Sequence, residues 1–195
     1  MHQFCQAIND VYMASNLPLI ADADTCFGEG EMCAKTVWEY NKAGAAGLHM
    51  EDQEFPKRCG HLDGKTLIPV EVMQKKVEIC AQARDACSDG DFIICARTDA
   101  KGVEGIQATI DRSKAYIDAG ADMIFPEGLT SLEEFVHVAQ ELKKHKADVF
   151  LLANMTEFGK TPIINIQEFE KAGYSCVIYP VSTLRVAMKA VELLL

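Results

Sequence analysis

Six short, β-rich apolar runs recur along this chain, and nearly every one ends in a charged or amide side chain. They are Leu19–Asp24 (LIADAD), Ala45–Asp52 (AAGLHMED), Phe92–Asp99 (FIICARTD), Met123–Glu127 (MIFPE), Val149–Asn154 (VFLLAN) and Cys176–Pro180 (CVIYP). Their starts lie 26, 47, 31, 26 and 27 residues apart, about what one strand, one helix and two short loops consume. The stretches between them carry helical periodicity, over Glu31–Ala43, Val70–Cys87, Glu104–Ala119, Ser131–Lys146, Gln167–Ala172 and Ser182–Leu195, with a further helix at Phe4–Ser15. Ser131–Glu134 (SLEE) reads as a capping box. Ala43-Gly44, Ala119-Gly120 and Ala172-Gly173 each read as a helix end, because glycine tolerates the left-handed residue found there. Near-continuous apolar strands alternating with amphipathic helices imply a parallel sheet covered by helices.

A doubly wound sheet shares this rhythm, and the polar strand ends separate the two architectures. Asp22, Asp24, Glu51, Asp52, Arg97, Asp99, Glu127 and Asn154 all fall where strands finish. In a (β/α)₈ barrel the carboxyl ends of the strands converge on one catalytic face. Six units are visible in 195 residues, whereas a complete barrel takes roughly 200–250. The expected fold is therefore α/β, an incomplete (β/α)₈ TIM-type barrel with units three to eight present and the first two missing. It forms one domain over 1–195, with no linker.

The formal charge is −10, from 19 basic and 29 acidic residues. With no Lys/Arg cluster to offset the repulsion, this argues against a nucleic-acid partner and points to a small molecule or a metal ion. No apolar run approaches the ~18 residues of a membrane span, and the N-terminal segment lacks the pattern of a secretory signal. Eight cysteines without CxxC or zinc-ribbon spacing read as free thiols in a reducing compartment, the cytoplasm or a mitochondrial matrix. Cys80, Cys87, Cys95 and Cys176 read as small buried hydrophobes, and Trp38 and Tyr40 as core or subunit contact.

Two constellations carry chemistry. In Asp22-x-Asp24 the period of a strand sets two carboxylates on one side of its end. Oxygen ligands of this kind favour Mg²⁺ or Mn²⁺, with Glu51 as a third carboxylate, direct or through water. Taken alone, the pair reads equally well as a helix cap beside a solvated aspartate. His49 lies beside Glu51 and suits a structural role at least as well as a functional one. The second constellation is the insertion Gln53–Pro69 (QEFPKRCGHLDGKTLIP), which gathers Lys57, Arg58, Cys59, Gly60 and His61 in five residues. A thiol flanked by cations suits acid, base or nucleophile chemistry, and long loops of this kind often act as lids.

ADAD-x-x-FG, AGAAGLHMEDQ, PKRCGH, ARTDA, FPE, LANMTEFGKTP and YPVS occur in this order. From about Leu17 onward the chain resembles the isocitrate lyase/phosphoenolpyruvate mutase superfamily, closest to its branch acting on 2-methylisocitrate and other 2-alkylmalates. The KRCGH loop is specific to the carbon–carbon lyases there, and Cys59 argues against phosphonate chemistry. The resemblance implies cleavage of 2-methylisocitrate to pyruvate and succinate, or of a related 2-alkylmalate or oxaloacetate. It implies a small 2-hydroxy di- or tricarboxylate substrate, Mg²⁺ (or Mn²⁺) as cofactor, and a homo-oligomer, a tetramer in relatives. By the same resemblance Asp22, Asp24 and Glu51 hold the metal. Cys59 is the catalytic thiol on a gating loop spanning 53–69, with Lys57, Gly60 and His61 as companions. Arg97 grips substrate carboxylate and stabilises developing charge, and Glu127, Asn154, Thr156 and Pro180 line the pocket. A second expectation stands beside this one: a non-catalytic, truncated fragment that folds by associating with itself or with a full-length relative.

Overall fold

Alternation of apolar strands and amphipathic helices gives one curled, fully parallel sheet. The computed structural model describes residues 1–195. Its elements run α1 (His2–Ser15), β1 (Ile20–Asp22), α2 (Glu31–Ala43), β2 (Gly47–Glu51), α3 (Val70–Ser88), β3 (Ile93–Thr98), a 3₁₀ turn (Ala100–Gly102), α4 (Ile106–Asp118), β4 (Met123–Pro126), α5 (Leu132–His145), β5 (Phe150–Asn154), α6 (Ile166–Ala172), β6 (Cys176–Ile178) and α7 (Ser182–Leu194). The spatial order of the strands is their chain order, β1 to β6, as successive βα units wound in one sense require. Every expected element forms, and the architecture is the incomplete TIM-type barrel, a six-stranded half-barrel.

The period of two along each strand splits the interior in two. Ala21, Leu48, Met50, Ile94, Ala96, Ile124, Leu151 and Ala153 face the helices and join a 34-residue core with α2 to α6. The alternate residues Cys95, Met123, Phe125 and Leu152 form a small second core on the concave side. On α5, Phe135, Val138, Ala139 and Leu142 recur at helical spacing and are all buried. Phe135 packs edge-on against Phe169 and Tyr174, with ring centroids 5.0 and 5.3 Å away. Tyr40 is fully buried while Trp38 is largely exposed, so the two aromatics of α2 divide between core and surface.

Helix ends follow the sequence, with two corrections. Gly44, Gly120 and Gly173 all take positive φ (102°, 107° and 93°). Ser131 caps α5 by accepting from the Glu134 N–H, but the Glu134 carboxylate reaches Thr130 instead of closing the box. The reciprocal box forms at Asn165 and Glu168, opening α6. Replacing Asn165 with Ala should destabilise the fold by about 1 kcal/mol, a shift in chemical-denaturation midpoint without a change in slope. The second correction concerns Asp24. β1 ends at Asp22, and Asp24 lies beyond it at φ 55°, so the DxD pair does not sit side by side on one strand.

Candidate active site

Parallel register carries the strand-end side chains to one rim. Asp22 pairs with His49, Glu51 with Arg97, and Arg97 with Phe125. Beyond the strands the ladder continues through Glu51 N to Asp24 O (3.0 Å) and Glu127 N to Thr98 O (3.0 Å), fixing Asp24 and Glu127 on the same rim.

Arg97 is the centre of this rim. Its Nε and Nη2 donate to the two oxygens of Asp99 at 3.0 and 3.1 Å, a two-pronged grip that sets the guanidinium plane. The group lies over the Phe125 ring, 5.2 Å from its centroid. Nη1 stands 4.0 Å from Glu51 Oε2 on one side and 3.8 Å from Glu127 Oε2 on the other. Burial works against its charge, but Asp99, Glu127 and Glu51 outweigh burial and raise its pKa.

On the β1–β2 side, ligand atoms of Asp22, His49 and Glu51 come within 4.8 Å of one another. Asp24 is held by its own N–H donating to Asp22 Oδ1 (2.8 Å). Lys57 reaches in from the loop, 3.3 Å from Asp24 Oδ1 and 3.0 Å from Glu51 Oε1. Even so, both Glu51 oxygens, Asp24 Oδ1 and His49 Nδ1 are buried without an aligned hydrogen-bond donor or acceptor. Burial raises the pKa of Glu51 against the pull of Arg97 and Lys57, and lowers that of His49. Carboxylate oxygens left unsatisfied in a buried cluster fit a hard divalent cation. Asp22, Asp24 and Glu51 are the donors that would hold it, and His49 joins them, a residue whose sequence context fitted a structural role at least as well.

On the β4–β5 side, Glu127 accepts from the Gly128 N–H (3.0 Å) and from Asn154 Nδ2 (3.1 Å). His61 Nε2 lies 3.2 Å from Glu127 Oε1. The Lys160 N–H donates to His61 Nδ1 at 3.1 Å, which leaves the imidazole proton on Nε2, facing Glu127. Thr156 and Pro180 follow β5 and β6, half-buried, and neither hydrogen-bonds to the Arg97 cluster.

The 53–69 segment is folded onto this rim. Gln53 exchanges two 2.9 Å hydrogen bonds with the backbone of Arg58. The buried Lys65 ammonium donates to the carbonyls of Gly60 (2.5 Å) and Leu62 (2.8 Å). Gly60 is buried, and a Cβ there would overlap Glu127 and come within 2.7 Å of Arg97 Nη2. Cys59, next in the chain, is exposed and unpaired. A cavity of about 570 Å³ lies elsewhere, lined by residues such as Thr25, Phe27, Gln53 and Lys76. Gly60→Ala should cost the closed loop about 1–3 kcal/mol by overpacking. Tryptic cleavage at Lys57 and Arg58 should then accelerate roughly tenfold or more.

Behind the rim, Asp52 ties the strand ends together. It accepts from Thr98 Oγ1 (2.7 Å), the Asp99 N–H (3.0 Å) and Tyr116 OH (2.8 Å), with Arg112 Nη1 at 3.4 Å. Asp52 and Asp99 stand out in the sequence only as polar strand ends. The signal for Asp99 is its position two residues after Arg97, just past the end of β3.

The phosphoenolpyruvate phosphomutase family model matches residues 1–194. A probable 2-methylisocitrate lyase of Corynebacterium glutamicum is 52% identical over 178 residues, covering 91% of this chain and 56% of that protein. The 2-methylisocitrate lyase of Bacillus subtilis is 46% identical over 190 residues, 97% of this chain and 60% of its own length. The chain thus spans little more than half the length of these curated relatives. Among solved structures, a 2,3-dimethylmalate lyase superposes with a TM-score of 0.91 at 36% identity, covering 98% of this chain and 62% of that one. An oxaloacetate acetylhydrolase superposes at 0.89 and 33% identity, covering 98% and 63%. With its rim of strand-end carboxylates around Arg97, this chain belongs to the phosphoenolpyruvate mutase/isocitrate lyase superfamily.

Proposed function

We propose that this chain carries the active centre of a Mg²⁺-dependent carbon–carbon lyase that cleaves 2-methylisocitrate to pyruvate and succinate. The observation that carries this reading is the buried Arg97 guanidinium. Asp99 holds it between the Glu51 and Glu127 carboxylates, beneath a loop bearing a thiol. The names of the relatives at 52% and 46% identity support the substrate.

Retro-aldol cleavage of a 2-hydroxy acid leaves an electron pair on the carbon next to a carboxylate, and that charge makes the reaction slow in water. A preorganised cation at the position of Arg97 stabilises it. The carboxylate oxygens of Asp24 and Glu51, faced by the Lys57 ammonium, with Asp22 and His49 beside them, would hold Mg²⁺ or Mn²⁺. When bound, the ion supplies Lewis acidity toward the 2-hydroxyl group and neighbouring carboxylate. Cys59 delivers a proton to the new carbanion as general acid, and the proton given up by the 2-hydroxyl restores the thiol over the cycle, while His61 and Lys57 orient the loop around it. Gly60 allows the backbone to approach Arg97, and Asn154 steadies Glu127 on the pocket wall, with Thr156 and Pro180 beyond. Water leaves the site as the loop covers it.

A related substrate is favoured by a different observation, the superposition on 2,3-dimethylmalate lyase and oxaloacetate acetylhydrolase. Supplying the purified chain and Mg²⁺ with 2-methylisocitrate, 2,3-dimethylmalate and oxaloacetate in parallel separates these readings. Pyruvate should appear from the first at the highest kcat/KM. Pyruvate with propionate only from the second, or oxalate and acetate only from the third, would replace it. A folded, monodisperse chain that turns over none would favour the non-catalytic fragment. Self-association is part of the proposal, supported by the exposed apolar side chains of α7, among them Leu184, Val186, Met188 and Val191. The eight unpaired cysteines support a reducing compartment.

A further inference from the structure

Three cysteines from separate segments meet on the helix side of the sheet, away from Arg97: Cys26 in the β1–α2 loop, Cys33 in the first turn of α2 and Cys80 on α3. We propose that Cys26, Cys33 and Cys80 form a binding site for a thiophilic d¹⁰ cation, Zn²⁺ or Cu⁺. The inference stands apart from the lyase reading.

The three sulfurs all lie within 4.8 Å of one another, with Cys26 Sγ and Cys80 Sγ 3.8 Å apart. A zinc–sulfur bond of about 2.3 Å sets sulfurs about 3.8 Å apart in a tetrahedron and about 4.0 Å apart in a trigonal plane. The spacing therefore needs little adjustment to surround an ion. Met50 Sδ lies 3.9 Å from Cys80 Sγ, so four sulfurs gather here beside the Gly28 and Cys33 carbonyls, and the sulfur set selects soft cations over Mg²⁺ or Ca²⁺. All three cysteines are fully buried.

The backbone is bent to make this cluster. Cys26 and Phe27 hold φ values of 70° and 57°, a left-handed conformation that costs energy at residues with a Cβ. The turn brings the Cys26 sulfur to Cys80, and Thr36 Oγ1 donates to the Cys26 and Met32 carbonyls. Lys76 sits one turn before Cys80 on α3 and donates to the Thr25 carbonyl at 2.9 Å, so a positive charge stands near the anionic complex. Thr25, Phe27 and Lys76, neighbours of the cluster in the chain or on α3, also line the cavity of about 570 Å³. A bound ion would pin the loop that carries Asp24, two residues before Cys26, to α2 and α3.

The test adds Co²⁺, a spectroscopic stand-in for Zn²⁺, to the fully reduced chain without oxygen. Thiolate ligation gives an intense near-ultraviolet charge-transfer band that oxygen ligands at the strand ends do not. The band should saturate at one Co²⁺ per chain and bleach on adding one equivalent of Zn²⁺. Competition against a Cu⁺-specific chelator separates the two ions by showing which is held more tightly. Cys80→Ser, verified as folded by circular dichroism, should weaken binding at least tenfold, while Cys87→Ser should leave it unchanged. X-ray absorption of the zinc-loaded wild-type chain should show three sulfurs at about 2.3 Å, and needs no variant. The proposal is overturned by an absent band in the folded, reduced chain, by a band unaltered in Cys80→Ser, or by an oxygen- and nitrogen-only zinc environment.

Discussion

Arg97→Lys is expected to lower kcat/KM by about 10²–10³-fold, the loss typical of removing one preorganised donor from a developing oxyanion. Lysine keeps the charge but cannot reproduce the planar fork that Asp99 holds through Nε and Nη2. The ammonium would fall short of the space between Glu51 and Glu127, so charge stabilisation at the reacting carbon drops while the net charge of the rim is kept. The fall should therefore appear in kcat more than in KM. Steady-state kinetics of the two proteins check this. Equal kcat values would mean that Arg97 holds the carboxylate rim together without touching the reaction.

Cys59→Ser should reduce turnover by about 10²–10⁴-fold, the usual range for a positioned general acid. The serine hydroxyl is isosteric but a far weaker acid. Cys59 is exposed and its thiol is free, while the one hydrogen bond it enters is made by its backbone carbonyl, so stability should stay within about 0.5 kcal/mol of the wild type. A large rate loss with an unchanged melting curve thus separates chemistry from folding. Substantial residual turnover in the variant would remove the thiol from the mechanism.

The strand-end pattern alone makes the rim legible in the sequence. Parallel strands of equal stagger bring their last residues together, so Glu51, Arg97, Glu127 and Asn154 had to meet once their strands formed. What alternation alone misjudged was Asp24. Period-two reasoning assumes an unbroken strand, but β1 stops at Asp22 and the chain turns through left-handed residues. Asp24 still reaches the cluster, through the turn and not through the pleat. His49 was hard to weigh because a lone histidine in an apolar strand is satisfied in many ways; only the register opposite Asp22 shows which carboxylate it faces. The long-range partners Lys160 and His61, and the buried Lys65 beneath Gly60, join loops whose separation in sequence gives no periodic signal. The thiol cluster was equally hidden. Cys26, Cys33 and Cys80 have no metal-ligand spacing, since three different elements deliver them.

The most direct measurement is product stoichiometry with the chain stripped of metal by a chelator and then resupplied with Mg²⁺. The account predicts equimolar pyruvate and succinate from 2-methylisocitrate when Mg²⁺ is restored, and neither while the chelator is in excess. Undiminished product in excess chelator, or none after Mg²⁺ is restored to the folded chain, would contradict it.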